Sequence, residues 1–197
     1  LVAQAVFAAA LFTGTPPQTD RIAPLAKAIF AEKANISLVG MPSCGKTTIG
    51  KQLAKAFGKT FVDLDAEIVK TAGKSIPDIF AESGEAGFRD LEQQVTARFA
   101  KEGGQVLSTG GGAVLRPENV AALRQNGPVV FIDRPLDLLR TGGGRPLSTD
   151  RAALAAMEEK RRPLYKAAAD IRIPNNTDVF RRAAKAAEEA LHAYFGT

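Results

Sequence analysis

The segment Gly40-Met41-Pro42-Ser43-Cys44-Gly45-Lys46-Thr47-Thr48 satisfies the pattern G-x-x-x-x-G-K-[ST] directly after an apolar run at 35–39. That spacing serves the holding of a polyphosphate. Gly40 and Gly45 permit turns that aim successive N–H groups inward at phosphate oxygens. A helix opening near Lys46 directs the positive end of its dipole at the same place. Lys46 reaches the β- and γ-phosphates, and the Thr47 hydroxyl joins the shell of a Mg²⁺ ion. Cys44 reads equally as a small filler or as a thiol made more acidic by the helix terminus.

A second acidic signal follows in Thr60-Phe61-Val62-Asp63-Leu64-Asp65. Residues two apart on a strand share a face, so Asp63 and Asp65 look into one crevice beyond the strand end, where open α/β sheets bind ligands. A cation between them relieves their repulsion, leaving one carboxylate to accept a proton from a substrate hydroxyl. The alternative is that Asp65 merely caps a helix starting near Ala66.

Further on, Gly84-Glu85-Ala86-Gly87-Phe88-Arg89-Asp90-Leu91-Glu92 places Arg89 and Glu92 three apart, so the acid can steady the guanidinium; a solvated helix charge is the plainer reading. Thr109-Gly110-Gly111-Gly112 runs straight out of the strand expected at 105–108. Three glycines there imply a close backbone approach. Gly142-Gly143-Gly144-Arg145-Pro146-Leu147 has the composition of a mobile lid carrying one cation, or of an ordinary surface loop.

The elements that must position these residues follow from pattern. Strands are expected at 35–39, around Phe61 and Val62, at 105–108, 129–132 and 170–173. Helices are expected at 46–57, from Ser75 as N-cap, from Gly84, at 135–140, around 160–165 and at 181–194, the last burying Ala183, Ala184, Ala187 and Leu191. The N-terminal 34 residues read as two helices joined by a loop at 13–17.

Composition narrows the class. The 197 residues carry 45% apolar and 24% charged side chains, which suits one globular domain with an appendage. Net charge is +5, with 26 Lys and Arg dispersed along the chain and no Trp, which favours small anionic partners over nucleic acid. One cysteine permits no internal disulfide and fits a reducing, cytoplasmic setting. One histidine, His192, excludes imidazole-based metal sites and Ser-His catalysis. The apolar start at 1–14 lacks a basic flank and falls short of the roughly 20 residues that span a bilayer.

Phosphate loop, Asp-x-Asp, Gly-Glu-x-x-Phe-Arg-x-x-Glu, Gly-Gly-Gly, Gly-Arg-Pro-Leu and Arg-x-Pro-Leu-Tyr occur in that order, and together they resemble shikimate kinase over about 35–195. The resemblance implies a three-layer α/β/α P-loop kinase of the nucleoside-monophosphate-kinase type, with a central five-stranded parallel sheet and a mobile lid at about 141–155. It implies ATP phosphates on Lys46 and the amides of residues 43–48, with Mg²⁺ on Thr47 and, through water, Asp63. Asp65 is then the ligand and proposed base for the substrate hydroxyl. Arg89 and Arg161 grip the carboxylate of shikimate, and Gly111, between Gly110 and Gly112, offers a backbone contact to a ring hydroxyl. Arg145 meets the transferring phosphoryl, Arg140 lines the adenine site, and Phe80 and Phe88 wall the ring.

Pro174-Asn175-Asn176 departs from the family, some members of which place an Arg there. Residues 1–14 are similar to the closing helix of shikimate dehydrogenases through Leu1, Gln4, Ala5 and Phe12-Thr13-Gly14. That similarity implies an extension at 1–34, derived from a fused dehydrogenase, ahead of a kinase domain at 35–197. A gluconate-type kinase on the same scaffold, or a nucleotide-binding module without acceptor chemistry, are the rival expectations.

Overall fold

Runs such as Ile36–Val39 and Val129–Asp133 are buried on both faces, as strands covered by helices on each side must be. The computed structural model describes residues 1–140 and 150–196. Among them five strands, β1 (Ile36–Val39), β2 (Thr60–Asp63), β3 (Gln105–Ser108), β4 (Val129–Asp133) and β5 (Ile171–Pro174), form one wholly parallel sheet in the order β2-β3-β1-β4-β5. The central strand β1 pairs Ser37 with Leu107 on one side and with Val129 on the other.

Among the described residues, eight α-helices surround or extend this sheet: α1 (Val2–Thr13), α2 (Ile22–Lys33), α3 (Lys46–Ala56), α4 (Leu64–Ala72), α5 (Ile76–Lys101), α6 (Pro117–Gln125), α7 (Arg151–Ala168) and α8 (Phe180–Phe195). Right-handed crossovers put α3 on one face and the helices linking β2 to β3 and β3 to β4 on the other. The packing of α3 on α8 and of α5 on α6 agrees. The strand order reverses direction at β1, so the loop that follows β1 opens at the sheet's switch point. Ile36, Leu38, Ile49, Leu107, Ile132 and Leu154 form the fully buried centre of the core.

Three expectations change, and a fourth lies mostly outside the described residues. Strand β2 ends at Asp63, which is itself the N-cap of α4, accepting from the Asp65 and Ala66 amides; Asp65 therefore sits in the first helical turn and is not the cap. The helix expected at 135–140 shrinks to a single 3-10 turn, Leu136–Leu138. Leu136 O accepts from the Leu139 amide, but the carbonyls that follow are taken by guanidiniums: Arg134 holds Leu138 O, and Arg151 holds Asp137 O and Leu139 O. The helix expected from Gly84 is continuous with the one before it, α5, which bends where Gly84 adopts φ 66°. The lid expected at about 141–155 falls in two parts: residues 141–149, with Arg145, lie outside the described residues, whereas Asp150 caps α7 through the Ala153 amide.

At the N-terminus, α1 contains no buried residue, while α2 is fastened at its C-terminal end. The Lys59 ammonium donates to Ala31 O, Glu32 O and Ala34 O at 2.9, 2.9 and 2.7 Å, filling acceptors that a helix end leaves open. Phe30 meets Phe195 edge-on, 5.9 Å between centroids.

Candidate active site

The loop between β1 and α3 takes its shape from local chemistry. Gly40 and Gly45 have φ of 145° and 103°, a region that disfavours side chains, and a Cβ on Gly40 would lie 2.6 Å from Ile132 O. The Lys46 ammonium folds back onto the Gly40 and Met41 carbonyls at 2.8 and 3.0 Å. Cys44 is fully buried and its amide donates to Met41 O, so it is a packed filler and not an accessible thiol. The Ser43 hydroxyl accepts from the Arg140 amide at 2.9 Å, which brings the exposed Arg140 to the loop. Thr47 and Thr48, at the start of α3, are exposed.

Beside the loop, Thr47 Oγ1 donates to Asp63 Oδ2 at 3.0 Å. A hydroxyl and a carboxylate side by side at a phosphate-binding helix terminus form an all-oxygen donor set of the kind Mg²⁺ takes, alongside phosphates and water.

The three consecutive glycines lie where this loop meets the side chains of α4 and α5. A Cβ on Gly110 would lie 2.7 Å from Asp65 Oδ1 and 2.8 Å from Glu92 Oε1, so both carboxylates converge on bare backbone. A Cβ on Gly111 would lie 2.8 Å from the Pro42 ring, within the phosphate loop. At Gly112 it would fall inside the Arg89 guanidinium. A side chain at these three positions would press on four neighbours: the Asp65 and Glu92 carboxylates, the Pro42 ring and the Arg89 guanidinium.

Arg89 is buried, bonded to Glu92 at 2.7 Å and to Glu85 at 3.0 Å, which removes the solvated-charge alternative. Burial opposes its charge, but Glu92 and Glu85 more than offset this and raise the guanidinium pKa. Burial raises the Glu92 carboxyl above the ordinary carboxylate value; Arg89 opposes the shift and Asp65 adds to it. Glu92 Oε1 has no hydrogen-bond partner among the described residues.

Arg161, on α7, is also buried, and no carboxylate lies within 4 Å of its guanidinium among the described residues. Burial lowers its pKa; Tyr165 offsets part of this, and the nearby charge of Arg89 adds to it. Glu92 and Glu85 bond Arg89, whereas the buried Arg161 guanidinium has no acid against it among the described residues and is left with donors that an anion can take. Phe80 and Phe88 pack ring to ring at 4.8 Å, and the Arg89 guanidinium lies 5.1 Å from the Phe88 centroid.

Asp63, Asp65, Arg89, Gly110, Gly111, Gly112 and Arg161 therefore gather beside the phosphate loop. Arg145 lies outside the described residues. Sequence reasoning missed Glu85 and Tyr165. Glu85 stands four residues before Arg89 in the same motif, a spacing that predicts the bond. The Tyr165 hydroxyl donates to Gly111 O and the ring stacks on Phe131, 5.2 Å between centroids; only its place in Arg-x-Pro-Leu-Tyr signalled it.

A family model described as shikimate kinase matches residues 42–192. A shikimate kinase of Synechococcus elongatus is 48% identical over 146 residues, 71% of this chain and 76% of that protein. Among solved structures, a shikimate kinase from Acinetobacter baumannii in complex with shikimate superposes with TM-score 0.78 at 35% identity, covering 86% of this chain and 97% of that one. A gluconokinase from Sinorhizobium meliloti, 18% identical with TM-score 0.52 and covering 83% of this chain and 97% of that one, shares the fold alone.

Proposed function

This chain belongs to the shikimate kinase family, and on that premise we propose that it transfers the γ-phosphoryl group of ATP to the 3-hydroxyl of shikimate, giving shikimate 3-phosphate and ADP. The observation that carries the reading is the pair of buried guanidiniums, Arg89 with its acids and Arg161 without one, set across the triple glycine from the phosphate loop. A ring acid bound there has its carboxylate held by charge-assisted hydrogen bonds, with Asp65 reaching a hydroxyl at its other end.

In this reading the Asp65 carboxylate takes the proton of the 3-hydroxyl as its oxygen bonds to the γ-phosphorus and the bond to the bridging oxygen of ADP breaks. Lys46 leaves the Gly40 and Met41 carbonyls to neutralise phosphate charge, and Arg145 approaches the same group. Thr47 and Asp63 would hold Mg²⁺, which when bound screens the phosphates from the attacking oxygen. Phe80 and Phe88 exclude water from the ring side, and the Gly111 backbone contacts a ring hydroxyl. Arg140, held to Ser43, lines the adenine.

The division of the chain into an extension at 1–34 and a kinase domain at 35–197 belongs to the same proposal. It is supported by α1, in which no residue is fully buried, and by a family match beginning at residue 42. The similarity of residues 1–14 to a dehydrogenase helix makes a fused dehydrogenase the proposed source of the extension. No helix among the described residues is long and apolar enough to cross a membrane, and we place the enzyme in the cytoplasm.

The test is ADP release from Mg-ATP with shikimate, with gluconate and with no acceptor. Shikimate-dependent release is expected. Release with gluconate alone would favour the gluconokinase alternative, and nucleotide binding without release would favour a non-catalytic module.

A further inference from the structure

Arg134, the residue after β4, carries a buried guanidinium, 4% exposed, that neither phosphate binding nor the carboxylate grip employs. Its Nε donates to Leu138 O at 3.1 Å, and Nη1 donates to Asn175 O at 3.3 Å and Thr177 O at 2.6 Å. Nη2 meets the Asp178 carboxylate. The Phe180 ring lies under the same group, its centroid 5.1 Å from Cζ. One cation thereby fastens the segment leaving β4 to the segment leaving β5.

Both fastened segments end on the phosphate loop. Asn175, itself buried, donates from Nδ2 to Cys44 O at 2.9 Å. Phe180 fills the space beside Gly45, where a Cβ would lie 2.7 Å from its ring. From the other side, the 3-10 turn held at Leu138 O leads to Arg140, whose amide donates to Ser43 Oγ. Ser43, Cys44 and Gly45 are thus each touched by a segment that Arg134 anchors.

We propose that Arg134 is a positioning residue for the nucleotide. Through Asn175, Phe180 and the turn before Arg140, it holds residues 43–45 in the shape that receives phosphate. The fork suits this task because a guanidinium offers five donors in a fixed plane, whereas an ammonium is a point charge that cannot span acceptors on both segments. This rests on the reading of the loop as an ATP site but not on the identity of the acceptor.

The test compares Arg134→Lys and Asn175→Ala with the unaltered protein. ADP affinity is measured by calorimetry without acceptor, together with KM for each substrate and the melting temperature. Asn175→Ala leaves the guanidinium in place and carries the test if Arg134→Lys does not fold. Each variant is expected to weaken ADP binding about tenfold, the scale of one lost hydrogen bond with its unsatisfied partner. KM for shikimate is expected to stay within about twofold, as for a group acting on one substrate only. ADP affinity unchanged in the folded variants, with only a lowered melting temperature, would overturn the proposal; so would equal losses for ADP and shikimate. An unaltered protein that binds ADP but does not phosphorylate shikimate would refute the proposed function and leave the role of Arg134 standing.

Discussion

Arg89 and Arg161 contribute unequally to the carboxylate clamp. Arg89 is held by Glu92 and Glu85 before any ligand arrives, whereas Arg161 has no acid within 4 Å among the described residues and gains more from an incoming anion. Arg161→Ala should therefore raise KM for shikimate by about 10- to 100-fold, the scale of a charge-assisted hydrogen bond, with KM for ATP unchanged in steady-state kinetics. Asp65→Asn should lower kcat by about 100-fold or more while sparing ADP affinity; loss of ADP affinity instead would move Asp65 to the metal side. The Arg89–Glu92 pair was legible from an i, i+3 spacing. The roles of the two aspartates were not, because alternation assumes that the strand continues, and β2 stops at Asp63 once that side chain caps α4.

At the scale of elements, the glycine run after β3 acts as a spacer between helices, not as a flexible connector. Gly112→Ala puts a methyl where the Arg89 guanidinium lies. It should raise KM for shikimate while ADP affinity holds, which parallel kinetics and calorimetry will show. Glycine spacing announced a close approach, but the partners, Asp65 and Glu92 at Gly110 and Arg89 at Gly112, come from helices distant in sequence and no local pattern names them. The shortened turn at Leu136–Leu138 was missed for the same reason, since Arg151, more than ten residues later, takes its carbonyls. Lys59 acts likewise on α2. Lys59→Met should uncap that helix and lower the melting temperature while leaving kcat unaltered, since its three carbonyl partners lie far from the phosphate loop.

For the molecule as a whole, the parallel sheet was readable because buried strands and amphipathic helices alternate, and the order β2-β3-β1-β4-β5 puts the phosphate loop at the reversal. Pattern does not reveal how charges balance in the cleft. Burial raises the Glu92 pKa, so between the ordinary carboxylate value and the raised one the folded chain binds more protons than the unfolded chain. Stability then falls as pH rises through that window. Denaturant titrations should show this slope flattened in Glu92→Gln. The buried Arg161 guanidinium, with no acid within 4 Å among the described residues, supplies the central test: calorimetric titration with shikimate and with its uncharged methyl ester. The acid is expected to bind about a hundredfold or more tightly than the ester, as two guanidiniums bonded to a carboxylate require. Equal affinities would contradict a carboxylate held between Arg89 and Arg161.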